Sequence, residues 1–200
     1  MLFRSHPNFR RKGYASKIII ATESLARKKK LTFARMIIAD NNKRSLKMAR
    51  SLGYTLEDKW WLYNLAPKKQ STTARLAKNA KNLESMIQST TYSESWNWLP
   101  LTKPVLTKLA NAGRVITYSK NKKILAMGIW NKSSRLDDDM MQLGYLNGTK
   151  DGIKNILQFM QNKGFEEKTE RIQLLIQHGI KPNLKGLDKR MLFCLMKKEL

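Results

Sequence analysis

Apolar residues recur at helix and strand spacing through the first third of this 200-residue chain. Apolar positions three and four residues apart predict a helix from Ala15 to the basic turn "RKKK", and "KRSLKMARSL" predicts a second helix that ends at Gly53. The segments "FARMIIAD" and "KWWLYNL" have the length and composition of strands. The order loop, helix, strand, helix, strand favours an α/β fold with a mixed sheet.

The composition becomes polar after Pro67, and a second group of elements follows. The stretch "KKQSTTARLAKNAKNLESMIQS" predicts a helix that links two halves of the chain. Strands are predicted at "GRVITYS", "KKILAMGIW" and "MMQLGYL", with a hairpin at "KNKK". A helix at "KDGIKNILQFMQNKG" and strands at "RIQLLIQ" and "KRMLFCLMKKEL" complete the pattern. We therefore expect a first domain at residues 1–67, a linker helix at residues 68–90 and a second domain at residues 91–200.

Basic residues dominate the charge of the chain. Lys and Arg number 39 against 15 Asp and Glu, which gives a formal net charge of +24. A field of that sign attracts polyanions, including nucleic acid and ribosomal surfaces, and steers acidic or phosphorylated small molecules. The cations are spread along the whole chain, so solvated helix faces are a second explanation of the same composition.

The sequence also indicates a compartment. It has no window of about 18 uninterrupted apolar residues, so no membrane span is predicted. The start "MLFRSHPNFRRK" lacks the apolar segment of a signal peptide, and we expect a cytoplasmic protein. Cys194 is the only cysteine and lies in the apolar run "MLFCLM", which predicts a buried, unreactive thiol.

The stretch "RRKGYA" has the composition of an anion-binding loop at a helix N-terminus. The first turn of a helix leaves backbone N–H groups unpaired, and Gly13 lets the backbone approach a ligand closely. Arg10, Arg11 and Lys12 add positive charge. The spacing differs from that of a P-loop and from that of a GxGxxG dinucleotide loop. Taken alone, the stretch is equally compatible with a simple capping loop.

Two motifs at a fixed separation resemble the GNAT superfamily of N-acetyltransferases. The pyrophosphate loop of that family, Arg/Gln-x-x-Gly-x-Gly/Ala, is matched by Arg10, Gly13 and Ala15. After the next predicted strand, Asn42, Ser45 and the pair Gly53-Tyr54 follow at the spacing that the family uses. The resemblance implies a GNAT-like acyl-CoA N-acyltransferase fold, and it implies acetyl-CoA as the cofactor.

The resemblance also implies roles for individual residues. Backbone amides of residues 11–16 would surround the pyrophosphate, and Asn42 would meet the pantetheine arm. Ser45 would either contact the cofactor or cap a helix. A substrate amine would attack the acetyl thioester directly. The cofactor-binding residues expected in this way are Arg10, Arg11, Lys12, Gly13, Tyr14, Ala15, Ser16, Asn42 and Ser45.

The chain departs from the family pattern at the catalytic acid. Many members carry a Tyr seven residues after the Asn, and this chain has Ala49 there. Tyr54 is the nearest replacement in sequence, although an aromatic residue after that glycine is more often part of the core. The catalytic acid and base are therefore not identified by the sequence.

The position of the loop gives two expectations for the architecture. Family members have several strands before the pyrophosphate loop, whereas here only "MLF" could represent them. Either the chain is a fragment, or the second half completes the sheet. That second half is interpreted as a degenerate GNAT-like domain, in which Gly148 and Gly152 lack the basic pattern and Asp151 would repel a pyrophosphate. An exposed sheet edge could also be covered by a second copy in a dimer.

Other candidate sites have simpler explanations. His6 and His178 lack companions at metal-ligand spacing, so no metal site is predicted. "RLDDDM" is interpreted as an acidic surface loop, and the Trp residues of "WNWLP" and "KWWLY" as core or domain contacts, with substrate stacking as the alternative. The expected function is acetyl-CoA-dependent transfer of an acetyl group to an amine of unknown identity. The positive charge of the chain favours an acceptor molecule that also carries acidic groups. The alternative is a non-catalytic basic module that binds nucleic acid or the ribosome.

Overall fold

A computed structural model describes residues 6–133 and 140–200. Its α-helices are α1 (Tyr14–Lys28), α2 (Lys43–Ser51), α3 (Lys103–Asn111) and α4 (Lys150–Glu166). Its strands are β1 (Phe33–Ala39), β2 (Thr55–Leu65), β3 (Arg75–Leu76), β4 (Thr91–Glu94), β5 (Asn97–Pro100), β6 (Val115–Lys120), β7 (Lys123–Ser133), β8 (Met140–Gly148), β9 (Ile172–Gln177) and β10 (Leu187–Glu199). Short 3-10 helices occupy Pro7–Phe9 and Glu84–Met86. The α/β class predicted from the sequence is confirmed.

The chain divides into two compact units. The first unit consists of Met1–Lys59 and Phe193–Leu200, and the second of Trp60–Leu192. The chain therefore passes from the first unit to the second within β2 and returns within β10. These boundaries differ from those that the composition suggested, because the last eight residues belong with the first unit.

The first unit is built on an antiparallel pairing between distant segments. β1 pairs with β10 from Phe33 opposite Glu199 to Ala39 opposite Phe193, and β10 is also a neighbour of β2. Helix α2 buries Leu46 and Ala49, as its apolar spacing predicts. Helix α1 buries only Ile19 and Glu23, whereas its other predicted apolar positions Ile18 and Leu25 are exposed. The core of the unit contains Ile19, Ile38, Leu46, Ala49, Tyr54, Cys194 and Met196. The buried state predicted for Cys194 is confirmed.

The second unit contains a mixed sheet with the strand order β2-β9-β8-β7-β6-β3. β8 and β9 are parallel, and α4 connects them; the other neighbours with a described register are antiparallel. One face of the sheet packs against α4, whose apolar residues meet Met141, Leu143 and Leu174 in a single core. Because successive side chains of a strand point to opposite faces, every second residue of these strands lies on the face away from α4.

The hairpin of β4 and β5 packs on that other face of the second unit. The main-chain N–H of Ser95 donates to Oε1 of Gln142 on β8 at 2.9 Å. The indole rings of Trp98 on β5 and Trp60 on β2 meet edge to face, 5.8 Å apart. The hairpin approaches β8 so closely that a Cβ atom at Gly144 would overlap the carbonyl group of Ser93.

The linker helix predicted for residues 68–90 is wrong. This segment contains β3, where Arg75 pairs with Thr117, and the short 3-10 helix Glu84–Met86. Its apolar residues Ala74 and Leu83 are buried in two core clusters of the second unit rather than aligned along a helix face. Asn82 adopts a left-handed conformation with φ of 62°, which a helix interior does not accommodate.

The predictions for "MLF" and "RLDDDM" fall at least in part on residues 1–5 and 134–139, outside the described ranges.

Candidate functional site

The predicted anion-binding loop lies at the start of α1 in the first unit. Arg11 and Gly13 both have left-handed backbone conformations, with φ of 64° and 74°. Gly13 is the N-cap residue of α1, and a Cβ atom placed there would have no neighbour within 4 Å. The loop backbone is therefore exposed and open at the residue where a ligand would have to approach it.

The N-terminus of α1 is electrostatically positive. Gly13 offers no side-chain cap, and the first turn contains no acidic residue. The first N–H groups of the helix have no acceptor within the helix, and they carry the positive end of its dipole. Lys12 lies over the ring of Phe9 at 5.3 Å, and that ring is 6.4 Å from the ring of Tyr14. These contacts keep a cation beside the open amides.

Four of the five acidic side chains of the first unit are engaged by cations outside the loop. Glu57 accepts two hydrogen bonds of 2.6 Å from Arg35, and Glu23 is 2.7 Å from Nζ of Lys198. Ion pairs also engage Asp40 and Glu199, and Asp58 accepts from the main-chain N–H of Lys59. No ion pair in the described part of the chain involves Arg11, Lys12 or Lys17. Within the described residues, no ion pair neutralises the positive charge of these three side chains.

Asn42 begins α2 as its capping residue. Its Oδ1 atom accepts a hydrogen bond from the main-chain N–H of Ser45 at 3.1 Å. The capping role that the sequence left open for Ser45 therefore belongs to Asn42. The carboxamide oxygen of Asn42 thus caps α2. The residue is exposed, and its carboxamide NH₂ group can donate hydrogen bonds to a ligand.

A polar cluster that the sequence did not predict lies at the end of β1. Asp40 accepts hydrogen bonds from Sγ of Cys194 at 3.4 Å, Nζ of Lys43 at 3.2 Å and Nζ of Lys59 at 3.3 Å. These donors lower the pKa of Asp40 to about 2. Burial, and then the Asp40 carboxylate, raise the pKa of the Cys194 thiol. A carboxylate directly after a strand and before Asn42 was the only local signal for this cluster.

Tyr54, the candidate for a proton donor, lies in the core of the first unit. It is 4% exposed and packs with the side chains that α1, α2 and β10 bury. Burial raises the pKa of its hydroxyl group, and the neighbouring Glu23 carboxylate raises it further. Ala49, at the position of the family's usual tyrosine, is also fully buried. The geometry of both residues is that of core packing.

The loop, Asn42 and Tyr54 fall within one recognisable segment. Residues 3–54 match the model of the acetyltransferase (GNAT) family. No curated protein sequence matches the chain.

Solved structures with the same fold come from several organisms. A putative acetyltransferase from Thermoplasma acidophilum superposes with a TM-score of 0.63 at 13% identity, over 98% of this chain and 67% of that one. A GCN5-related N-acetyltransferase from Sphaerobacter thermophilus gives 0.61 at 12% identity, over 97% and 70%. A GNAT-family acetyltransferase from Colwellia psychrerythraea gives 0.52 at 12% identity, over 99% and 76%. The chain has the fold of GNAT acyltransferases.

The second unit also has a glycine-containing turn at a helix N-terminus, between β8 and α4. Here Thr149 caps the helix through a hydrogen bond from the main-chain N–H of Gly152 at 3.2 Å. Asp151 accepts a bond of 2.7 Å from the hydroxyl of Tyr118. A Cβ atom at Gly148 or Gly152 would overlap Ala126. This turn is capped, acidic and filled, in contrast to the open, basic loop at Gly13.

The remaining candidates have structural surroundings. Trp60 is fully buried and Trp98 nearly so, which confirms core packing for one residue of each Trp pair. Trp61 stacks on His178, and Nζ of Lys189 lies 3.5 Å from the centre of its ring. Within residues 6–133 and 140–200, no three His, Cys, Asp or Glu side chains are grouped as metal ligands would be. No helix in those ranges is long and apolar enough to cross a bilayer.

Proposed function

We propose that this protein is an acetyl-CoA-dependent N-acetyltransferase whose cofactor site is the loop of residues 10–16. The family match over residues 3–54 and the fold support acyl transfer in general terms. The observation that carries the proposal is Gly13, a left-handed helix cap with open space above it. A helix N-terminus of this kind binds phosphate groups through its backbone amides.

The loop fits the charged part of coenzyme A. The backbone N–H groups of Tyr14, Ala15 and Ser16 would hold the pyrophosphate, and Arg10, Arg11 and Lys12 would balance its charge. Asn42 keeps its amide N–H groups for the pantetheine arm while its oxygen caps α2. When bound, acetyl-CoA supplies the acetyl group as a thioester that an amine can attack.

The first unit contributes binding and orientation in this proposal rather than proton transfer. A carboxylate with a pKa of about 2 is a weak base, and three donors already occupy Asp40. Tyr54 is enclosed in the core. We assign no acid or base, and the acceptor is defined only as an amine. The net charge of +24 favours acceptors that carry negative charge.

Calorimetric titration with acetyl-CoA tests the site directly. The variant is Gly13→Glu, which places a carboxylate at the open position. Like charges in contact cost several kcal/mol, so we expect affinity to fall at least about 100-fold.

Gly186→Glu is the matched control, because Gly186 also has a left-handed φ, 86°, and no atom within 4 Å of a Cβ. It changes the charge equally and incurs the same backbone strain, and its affinity should equal that of the wild type. Equal losses in both variants, or no binding by the folded wild type, would contradict the site. Binding without acetyl transfer to any amine in a panel would favour the non-catalytic alternative.

A further inference from the structure

A basic groove lies on the second unit between β3 and the turn that joins β6 and β7. Its volume is about 300 Å³. Its apolar lining residues include Leu76, Leu83 and Ile124. Four cations line it: Arg75, Lys78, Lys81 and Lys122. We call it the β3 groove.

The cations of the β3 groove have no carboxylate partners among the residues that the structure describes. None of the described residues that line it is acidic. None of its four cations takes part in an ion pair within the described part of the chain. Four like charges at one concave surface repel one another, and an anion is the ligand that relieves this repulsion.

The number and placement of the charges indicate an extended anion. Arg75, Lys78 and Lys81 follow one another at intervals of three residues along one segment, and Lys122 approaches from another. A single phosphate group has three strong acceptor oxygens and cannot engage all four of these cations, which are spread over two segments.

The polar groups of the groove suit phosphates rather than bases. Ser119 adds a hydroxyl donor and Asn79 a carboxamide. No aromatic side chain is among the described lining residues, so the groove lacks a platform for base stacking. Contacts from Lys, Arg and hydroxyl groups to phosphate oxygens hold a strand without reading its sequence.

We infer that the β3 groove binds the backbone phosphates of a single nucleic-acid strand. The site uses none of the residues in the loop at Gly13, so it is independent of the proposed acetyltransferase function. It assigns a ligand to four of the basic residues of the second unit.

Fluorescence anisotropy of the full chain with a labelled oligothymidylate of about 20 nucleotides tests this inference. The groove variant is the double substitution Lys78→Glu and Lys122→Glu, which alters both segments of the groove. Each lost phosphate contact lowers the slope of log affinity against log salt by about 0.7, so two should lower it by about 1.4. We also expect affinity to fall at least about 10-fold at a salt concentration near 50 mM.

The control is Lys181→Glu with Lys185→Glu, two exposed lysines of the same unit outside the groove. It makes the same change in net charge and should leave the salt slope unchanged. Equal effects of the two double variants, or no binding by the wild type near 50 mM salt, would overturn the inference. So would displacement of the strand by tripolyphosphate at an equal concentration of phosphate groups, because that result assigns the groove to a small phosphorylated ligand.

Discussion

Replacing Gly144 by alanine is the most direct test of the way in which the hairpin of β4 and β5 packs on β8. The added Cβ atom would lie within bonding distance of the main-chain carbonyl oxygen of Ser93, and 3.2 Å from its Cα atom. The obstacle is backbone, which cannot rotate away as the end of a flexible side chain can. The hairpin must therefore move away from the sheet.

The cost of this movement can be worked out from the contacts that it breaks. Overpacking a well-packed interior costs about 1–3 kcal/mol. Displacement also stretches the bond from the Ser95 N–H to Gln142, 2.9 Å, and the bond from Nδ2 of Asn131 to Oγ of Ser95, 3.1 Å. Each contributes about 0.5–1.5 kcal/mol, so the free energy of unfolding should fall by about 2–6 kcal/mol.

Urea unfolding monitored by tryptophan fluorescence measures this change, because the hairpin carries Trp98 against Trp60. Gly179→Ala is the control, since a Cβ atom there has no neighbour within 4 Å and Gly179 has no left-handed φ. That substitution should change stability by less than about 0.5 kcal/mol. A loss below about 1 kcal/mol for Gly144→Ala would show that the hairpin does not approach β8 as described.

Two further predictions concern ionic contacts of the first unit. Lys198→Met should lower the free energy of unfolding by about 1.5–3 kcal/mol, because it removes the nearer of the two described cations from the buried Glu23 carboxylate and leaves Arg27 at 3.6 Å. Adding Glu23→Gln should recover part of that loss in a double-mutant cycle of urea unfolding, and strictly additive losses would argue against the pair. Asp40→Asn tests the low pKa of Asp40, which falls from 3.8 to about 2 on folding. A lowered pKa stabilises the fold above pH 3.8, and this contribution is lost as the pH falls towards 2, so the stability difference between wild type and variant should shrink over that interval. A difference independent of pH would refute the three hydrogen bonds to this carboxylate.

Local periodicity predicted the elements whose folding is decided by their own residues. Helices α1 and α2 lie where the apolar spacing placed them, and Gly53 follows α2 with a left-handed φ of 88°. The hairpin at "KNKK" was also predicted, and its turn residues Asn121 and Lys122 both have positive φ. Asparagine tolerates this conformation, so the turn has a sequence signal.

The hairpin of β4 and β5 had no comparable signal. Its turn residues Ser95 and Trp96 have the same positive φ values, 47° and 64°, without glycine or asparagine. The tertiary contacts of Ser95 with Gln142 and Asn131 hold a conformation that the local sequence does not favour. At residues 68–90 the local sequence favoured a helix that the structure does not contain. Strand pairing of Arg75 and burial of Leu83 override the helical pattern there.

Some features of the candidate site are set by neighbouring residues, and others by residues that are far apart in the sequence. The open loop at Gly13 depends on a few consecutive residues, and the basic glycine pattern predicted it. The cluster around Asp40 joins Asp40 to Cys194, which is 154 positions away, and no spacing rule could connect them. Burial of Tyr54 likewise depends on β10, which reaches the first unit from the far end of the chain.

The pairing of β1 with β10 also determines when the first unit can fold during synthesis. Phe33 finds its partner only when Glu199 has been made. At about 5–20 residues per second, the ribosome needs on the order of 10–30 s between these two strands. During that time β1 leaves the ribosome with an unpaired edge, and the second unit can be assembled first. β10 thus completes a unit whose other segments are made before the second unit, and a nascent chain stalled before residue 193 would hold the Gly13 loop on an unfinished scaffold.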